Sequence, residues 1–169
     1  MEGFGLIRVL HAGCGREPLP EWFPSCQEVR LDANPGCEPD IVASVTDLGD
    51  IGEFDMVYCS HVLEHVYPHE VHKVIAEFHR VLKTGGKAII IVPDLEDAEA
   101  TEEVLYVSPA GPITGLDLMY GMRSMIEDNP YMAHHCGFVS KTLADSLSIF
   151  SEVHTKRMMF NNLMGVGIK

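Results

Sequence analysis

Arg8-Val-Leu-His-Ala-Gly-Cys-Gly15, followed by Val29-Arg-Leu-Asp32, decides the fold of this chain. An apolar run goes straight into a glycine turn. A second short run then ends in a carboxylate, 19 residues after Gly13. This is how a nucleotide-type pocket is built at the first strand of an open α/β sheet. Glycine lets the backbone approach a ligand, and an acid ending the next strand can accept hydrogen bonds from both ribose hydroxyls. A dinucleotide fingerprint needs a third glycine where this chain has Pro18, which argues against NAD and FAD. Three prolines between Arg16 and Pro24 leave little room for a helix after the turn.

Beyond that turn, strand and helix signals alternate, which predicts an α/β fold with a mostly parallel sheet. Predicted strands cover 6–12, 28–31, 41–43, 56–60 and 87–92. The last two are nearly continuous apolar runs, as in central strands buried on both faces. Val71, Val74, Ile75, Phe78, Val81 and Leu82 recur at helical spacing, with Pro68 before them and Gly85-Gly86 as the expected stop. After Pro93 the pattern loosens into an acidic stretch and Pro/Gly punctuation. A Met-rich helix is expected over 116–126 and a serine-capped helix over 140–150. Closing strands are expected over 152–159 and 163–168, joined across Asn161-Asn162.

The chain has 169 residues, enough for one domain that buries roughly 70% of its unfolded surface. One domain over 1–169 is therefore expected. Its net charge is −13 with 12 basic residues, and no Lys/Arg cluster offers a groove for nucleic acid. Five cysteines without a C-x-x-C pair argue for reduced thiols in a cytoplasmic setting and against a thiolate zinc site. No signal peptide and no membrane span are read. The nine methionines are expected to fill gaps in the core. Met119, Met122 and Met125 could instead line a homodimer face.

Phe54-Asp-Met-Val-Tyr-Cys-Ser-His-Val-Leu-Glu-His65 is the other informative segment. A buried strand ends at Ser60, and a histidine-bearing turn follows. Ligands bind at the carboxyl ends of strands in open α/β sheets, so Ser60 and His61 should face the crevice of Gly13. The same residues match H-x-x-E-H, a zinc-peptidase pattern, with Glu64 as base. A strand ending one residue before His61, and Pro68 soon after, speak against the helix that pattern needs. No metal site is expected.

The order Leu10-His-Ala-Gly-Cys-Gly, Leu31-Asp-Ala-Asn-Pro, Ser60-His-Val-Leu-Glu-His and Arg80-Val-Leu-Lys-Thr-Gly-Gly resembles the class I S-adenosylmethionine (SAM)-dependent methyltransferases. Within them it is similar to small bacterial methyltransferase-domain proteins, mostly of unassigned substrate. His134-His-Cys-Gly-Phe138 resembles their H-x-x-G-F segment. The resemblance implies a Rossmann-like sandwich with a seven-stranded, mostly parallel sheet whose last strand is antiparallel. It implies SAM as cofactor. Ala12, Gly13, Cys14 and Gly15 would border its methionine portion, Asp32 its ribose and Ala33 its adenine. Ser60 and His61 would approach the amino group.

Relatives often pair an Asp with the adenine amino group. Here Ser44 and Val45 stand in that loop, and Asp47 is the available substitute. About five residues precede the glycine strand, so N-terminal lid helices are expected to be lacking. The roof would then come from a substrate-side insertion over 94–138, from a partner subunit, or from nothing. His61, His134 and His135 are the candidate bases, and His65, Tyr120 and His134 the candidate acceptor contacts. The expected activity is methyl transfer to a small-molecule or glycan-type acceptor. A SAM-binding regulatory module without turnover is the alternative, and a zinc hydrolase the remote one.

Overall fold

The computed structural model describes residues 6–169. The expectations for Met1-Glu-Gly-Phe-Gly, that neither a leader nor a lid helix precedes the sheet, lie outside them. Seven strands form the main sheet: β1 (Ile7–Ala12), β2 (Cys26–Asp32), β3 (Ile41–Val42), β4 (Phe54–Ser60), β5 (Leu82–Pro93), β8 (Glu152–Met158) and β9 (Asn162–Ile168). Their order is β3-β2-β1-β4-β5-β9-β8. The first five run parallel, and β9 is inserted antiparallel between β5 and β8. This is the expected Rossmann-like sandwich. β1 pairs with both β2 and β4, so the strand order reverses beside it and opens a crevice at the carboxyl ends of β1 and β4.

One face of the sheet is covered by two helices, α1 (Val71–Val81) and α3 (Ser140–Ser146). Val71, Val74, Ile75, Phe78 and Val81 of α1 are buried against Val57, Ala88, Ile90 and their neighbours. Each such side chain contributes about 1.5–3 kcal/mol relative to exposure. On the other face, Val9, Tyr58, Ile89 and Ile91 pack under Leu19 and Phe23 of the proline-rich stretch after β1. Phe23 meets Tyr58 edge-on at 5.2 Å, and Trp22 stacks on Phe23. The three prolines thus replace a helix by a strap carrying aromatic anchors.

Several elements differ from the sequence reading, each for a local reason. α1 stops at Val81 rather than at Gly85-Gly86, because Leu82 already pairs with Phe54 and the glycines lie inside β5. The Met-rich helix is only α2 (Gly115–Tyr120). It ends at Gly121, whose φ of +90° no helix accommodates, and a separate 3₁₀ turn holds Arg123–Met125. The punctuated stretch before it is a hairpin of β6 (Val104–Ser108) and β7 (Gly111–Thr114). Ser140 does not cap α3. Its hydroxyl pairs with that of Thr155, while Thr142 Oγ1 accepts the Val139 N–H. The β8–β9 turn lies at Met159-Phe160-Asn161, one to two residues earlier than expected, with Phe160 and Asn161 both at positive φ. No described methionine belongs to the fully buried core, and Met158 and Met159 are exposed. Core gaps beside β9 are closed by Gly165 and Gly167, which let Leu143, Leu147 and Phe150 sit directly on the strand.

Candidate active site

The glycine turn leaves β1 at the switch point. Gly13 has φ +66°, and a Cβ there would lie 2.2 Å from Val62 Cγ2. Only glycine meets both conditions, so the turn after β1 and the turn after β4 are pressed together. Gly13 and Cys14 N–H donate to Leu31 O at 2.8 and 3.1 Å. Gly15 N–H donates to Asp32 Oδ2 at 2.8 Å, and Asn34 N–H to Asp32 Oδ1 at 2.8 Å. The Arg30 guanidinium clamps the turn from outside by donating to Gly15 O and Glu17 O. Cys14 is buried, and burial pushes its thiol pKa up, which makes it packing rather than a nucleophile.

Ala12, Gly13, Cys14, Gly15, Asp32 and Ala33 therefore form one shelf along the ends of β1 and β2. Ser60 ends β4, and His61 follows with φ +54° and its N–H bonded to Ile91 O. In the loop after β3, Val45 packs partly on the core. Ser44 Oγ is turned to Thr46, and Asp47 Oδ1 accepts the Gly49 N–H at 3.3 Å. The two candidate side chains, Ser44 and Asp47, are thus engaged in their own turn.

Next to the shelf lies a cavity of about 620 Å³, in the usual size range for small-molecule sites. Its wall includes Tyr106, Ile113, Leu118, Met122 and His134 from the stretch 94–138, and Phe160 and Asn162 from the β8–β9 hairpin. From the turn after β4 come His61, Glu64 and His65. Of the cofactor candidates only His61 lines it, so His61 stands at the seam between shelf and cavity.

Two candidates fall elsewhere. Tyr120 is 58% exposed and absent from the wall, because α2 turns it outward before Gly121. His135 stacks on Tyr67 at 4.2 Å on the outer surface. Tyr106, Phe160 and Asn162 were not singled out in the sequence. Tyr106 belongs to the β6–β7 hairpin and Phe160 and Asn162 to the β8–β9 hairpin, and local pattern does not reveal that the two hairpins face one cavity.

The polar end of the cavity is the turn Leu63–His65, a 3₁₀ turn rather than a helix. His61 and His65 therefore do not share a helical face, and the geometry assumed by the zinc-peptidase pattern is absent. Glu64 is 1% exposed. His61 Nδ1 stands 3.3 Å from Glu64 Oε1, within ion-pair range but off hydrogen-bond geometry. Burial works against a charged His61 ring, but the Glu64 carboxylate outweighs it, and the His61 pKa is raised. Burial lowers that of His134.

Residues 10–90 match the family model described as a methyltransferase domain. The match takes in just under half of the chain and makes that part similar to a methyltransferase domain. The fold agrees. An O-methyltransferase family protein from Burkholderia thailandensis superposes with a TM-score of 0.68 at 13% identity, covering 98% of this chain and 51% of its own. A putative O-methyltransferase from Nostoc punctiforme PCC 73102 gives 0.67 at 12% identity, with 97% and 52% covered. The 1,6-didemethyltoxoflavin-N1-methyltransferase of Burkholderia thailandensis, solved with its acceptor and S-adenosylhomocysteine (SAH), gives 0.65 at 17% identity, with 97% and 71% covered. The present chain spans about half the length of the first two. No curated protein matches its sequence significantly. Among the described residues no helix is long and apolar enough to cross a membrane.

Proposed function

We propose that this domain transfers the methyl group of SAM to a small-molecule acceptor held in the cavity under 94–138. The observation that carries this reading is the seam at His61, where the shelf after β1 and β2 meets the cavity wall. SAM supplies an already activated, electrophilic methyl group. The chain's own work is then to hold the acceptor in line, and positioning of this kind contributes about 7–11 kcal/mol in favourable intramolecular cases. Asp32 would take the ribose hydroxyls, with Gly13, Cys14 and Gly15 giving backbone access. Val45 would lie on the adenine, while the side chains of Ser44 and Asp47 would first have to leave their local turn. His61 would orient the acceptor atom and accept its proton, with Glu64 beside it favouring the charged ring that results.

The wall favours a small molecule with an apolar body and one polar, methylatable end over a glycan. Tyr106, Val107, Ile113, Leu118, Met122 and Phe160 offer an apolar surface, while the polar groups from the β4 turn gather at one end. The chain's charge of −13 argues against a nucleic-acid acceptor.

The test is SAH binding by calorimetry, with Asp32→Ala beside the wild type, followed by methyl transfer to a panel of small hydroxyl and amine acceptors. Binding that Asp32→Ala abolishes, with turnover, supports the enzyme. Binding with no turnover across the panel would favour the regulatory module instead. No SAH binding by the folded chain would remove both readings.

A further inference from the structure

At the polar end of the cavity, Glu64, His65 and His134 offer one donor atom each, all within 4.8 Å of one another. Three features distinguish this trio from a chance cluster. First, Glu64 is 1% exposed, and neither of its carboxylate oxygens has a hydrogen-bond partner among the described residues. Its charged neighbour His61 stands 3.3 Å away, off hydrogen-bond geometry; a buried carboxylate without hydrogen bonds is costly, and a cation is one way to offset that cost.

Second, both rings are oriented from behind. His65 Nδ1 lies 3.0 Å from Ala133 O, and His134 Nδ1 lies 3.1 Å from Leu118 O. A carbonyl can only accept, so Nδ1 carries the proton in each ring. The Nε2 of each neutral imidazole then holds a lone pair. A backbone carbonyl on one ring nitrogen, leaving the other as donor, is the usual outer shell of a metal-bound histidine. The two rings stand 4.9 Å apart at 73°, tilted rather than stacked.

Third, the trio is assembled from both walls. Glu64 O accepts N–H from His135 and Cys136 at 2.8 and 3.2 Å, and His134 N–H donates to Tyr120 O at 3.1 Å. The turn after β4, the end of α2 and the stretch 130–136 are thereby fixed to one another around these side chains.

We propose that Glu64, His65 and His134 form a divalent-metal site that faces the acceptor cavity. Two imidazole nitrogens and one carboxylate oxygen suit a borderline first-row cation such as zinc better than magnesium or calcium, which prefer all-oxygen shells. Zinc bonds of about 2.0–2.2 Å require donors roughly 3.4 Å apart. Donors up to 4.8 Å apart must therefore close by as much as ~1.4 Å through rotation of their side chains. Three protein ligands leave a fourth position, and the cavity lies in front of it. One carboxylate and two neutral rings leave the site a net positive charge. It would accept an anionic or hydroxyl-bearing ligand there, with His61 at the rim. The site differs from the H-x-x-E-H pattern, since His61 is not a ligand and His134 comes from 70 residues further along. It stands whether or not the domain turns over SAM.

The test is titration of the full-length, metal-free chain with zinc, and separately with cobalt(II), whose absorption spectrum reports coordination. The variants Glu64→Gln, His134→Ala and, as a surface control, His154→Ala are run alongside, with each fold checked by circular dichroism. The expected result is one zinc per chain, a cobalt spectrum of low coordination number, and affinity weakened on the order of 100-fold or more by Glu64→Gln and His134→Ala. His154→Ala should bind as the wild type does. Absence of stoichiometric zinc on the wild type would overturn the proposal even if a variant failed to fold. So would unchanged affinity in either folded ligand variant. SAH titration of the metal-free wild type separates the two readings: SAH binding without zinc binding would sink the metal site and leave the methyltransferase reading standing.

Discussion

Gly13 and Gly15 flank the same turn, both at positive φ, yet they answer different constraints. A methyl at Gly13 meets Val62, whereas one at Gly15 meets nothing within 4 Å. Gly15→Ala should therefore cost about 1–2 kcal/mol, the left-handed penalty alone. Gly13→Ala should cost about 1–3 kcal/mol more, because the turn after β4 must shift. Urea unfolding of both variants measures the difference, and equal losses would show that the Val62 contact is soft. On the same shelf, Gly15→Ala should weaken SAH binding while leaving the fold intact, since its methyl projects into open space beside Asp32.

His11 offers a second single-residue test. It is 4% exposed on β1, with Nδ1 2.8 Å from Glu28 Oε1 and its ring against Tyr58. Burial dominates, and the His11 pKa falls below the ordinary 6.5 despite the carboxylate. Above pH 6.5 the ring is neutral in both folded and unfolded chains, and the stability it allows is fully present. As the pH falls below 6.5 the unfolded chain takes the proton first, so stability declines until the folded pKa is passed. His11 should thus titrate below 6.5 by NMR. The fall in stability on acidification should be shallower in His11→Gln than in the wild type, and an identical pH dependence would refute the assignment.

At the scale of elements, β9 joins the sheet by giving up side chains. A Cβ at Gly165 would lie 2.8 Å from Leu147 Cδ1 and 2.9 Å from Leu143 Cδ2. Gly165→Ala should cost about 1–3 kcal/mol by overpacking, and Leu143→Ala about 2–5 kcal/mol by opening a cavity. Because the added methyl points at the removed one, the double variant should lose less than the sum, with coupling on the order of 1 kcal/mol. Strict additivity in denaturant unfolding would mean that α3 adjusts independently of β9.

The roof behaves differently. α2 stops at Gly121, where a Cβ would lie 1.9 Å from Met132 O. Gly121→Ala should loosen the contacts that bring His134 under Tyr120 O, seen as faster amide exchange over 117–136 with the central strands unchanged. This is also where the sequence was least readable. The spacing of α1 and the apolar runs of β4 and β5 stand in the chain as local periodicity. The β6–β7 hairpin carries little alternation, and the break at Gly121 is set by a backbone contact 11 residues away. Of the methionines in this stretch, Met122 lines the cavity and Met125 is exposed.

For the whole molecule, the shelf was readable because its residues follow strands directly, so that Gly13, Asp32 and Ser60 sit at strand ends whatever the loops do. The cavity was not, because its wall depends on how 94–138 folds over the sheet and on where the β8–β9 turn brings Phe160 and Asn162. The division predicts how the molecule should respond to ligand. On the proposed reading, a cofactor along the shelf would touch the ends of β1, β2 and β4 and the loop after β3, and these strands are hydrogen-bonded into one sheet. Its binding energy should therefore stabilise the cooperative unit rather than a single loop. At a free SAH concentration 100 times its dissociation constant, linkage adds about 2.7 kcal/mol. For a chain of this size that corresponds to a rise in Tm of about 5–10 °C. A thermal scan with increasing SAH should show the whole transition moving by that amount without broadening. Asp32→Ala, which removes one shelf carboxylate and nothing from the cavity wall, should abolish the shift. A shift that persists in Asp32→Ala would place the ligand in the cavity and not on the shelf.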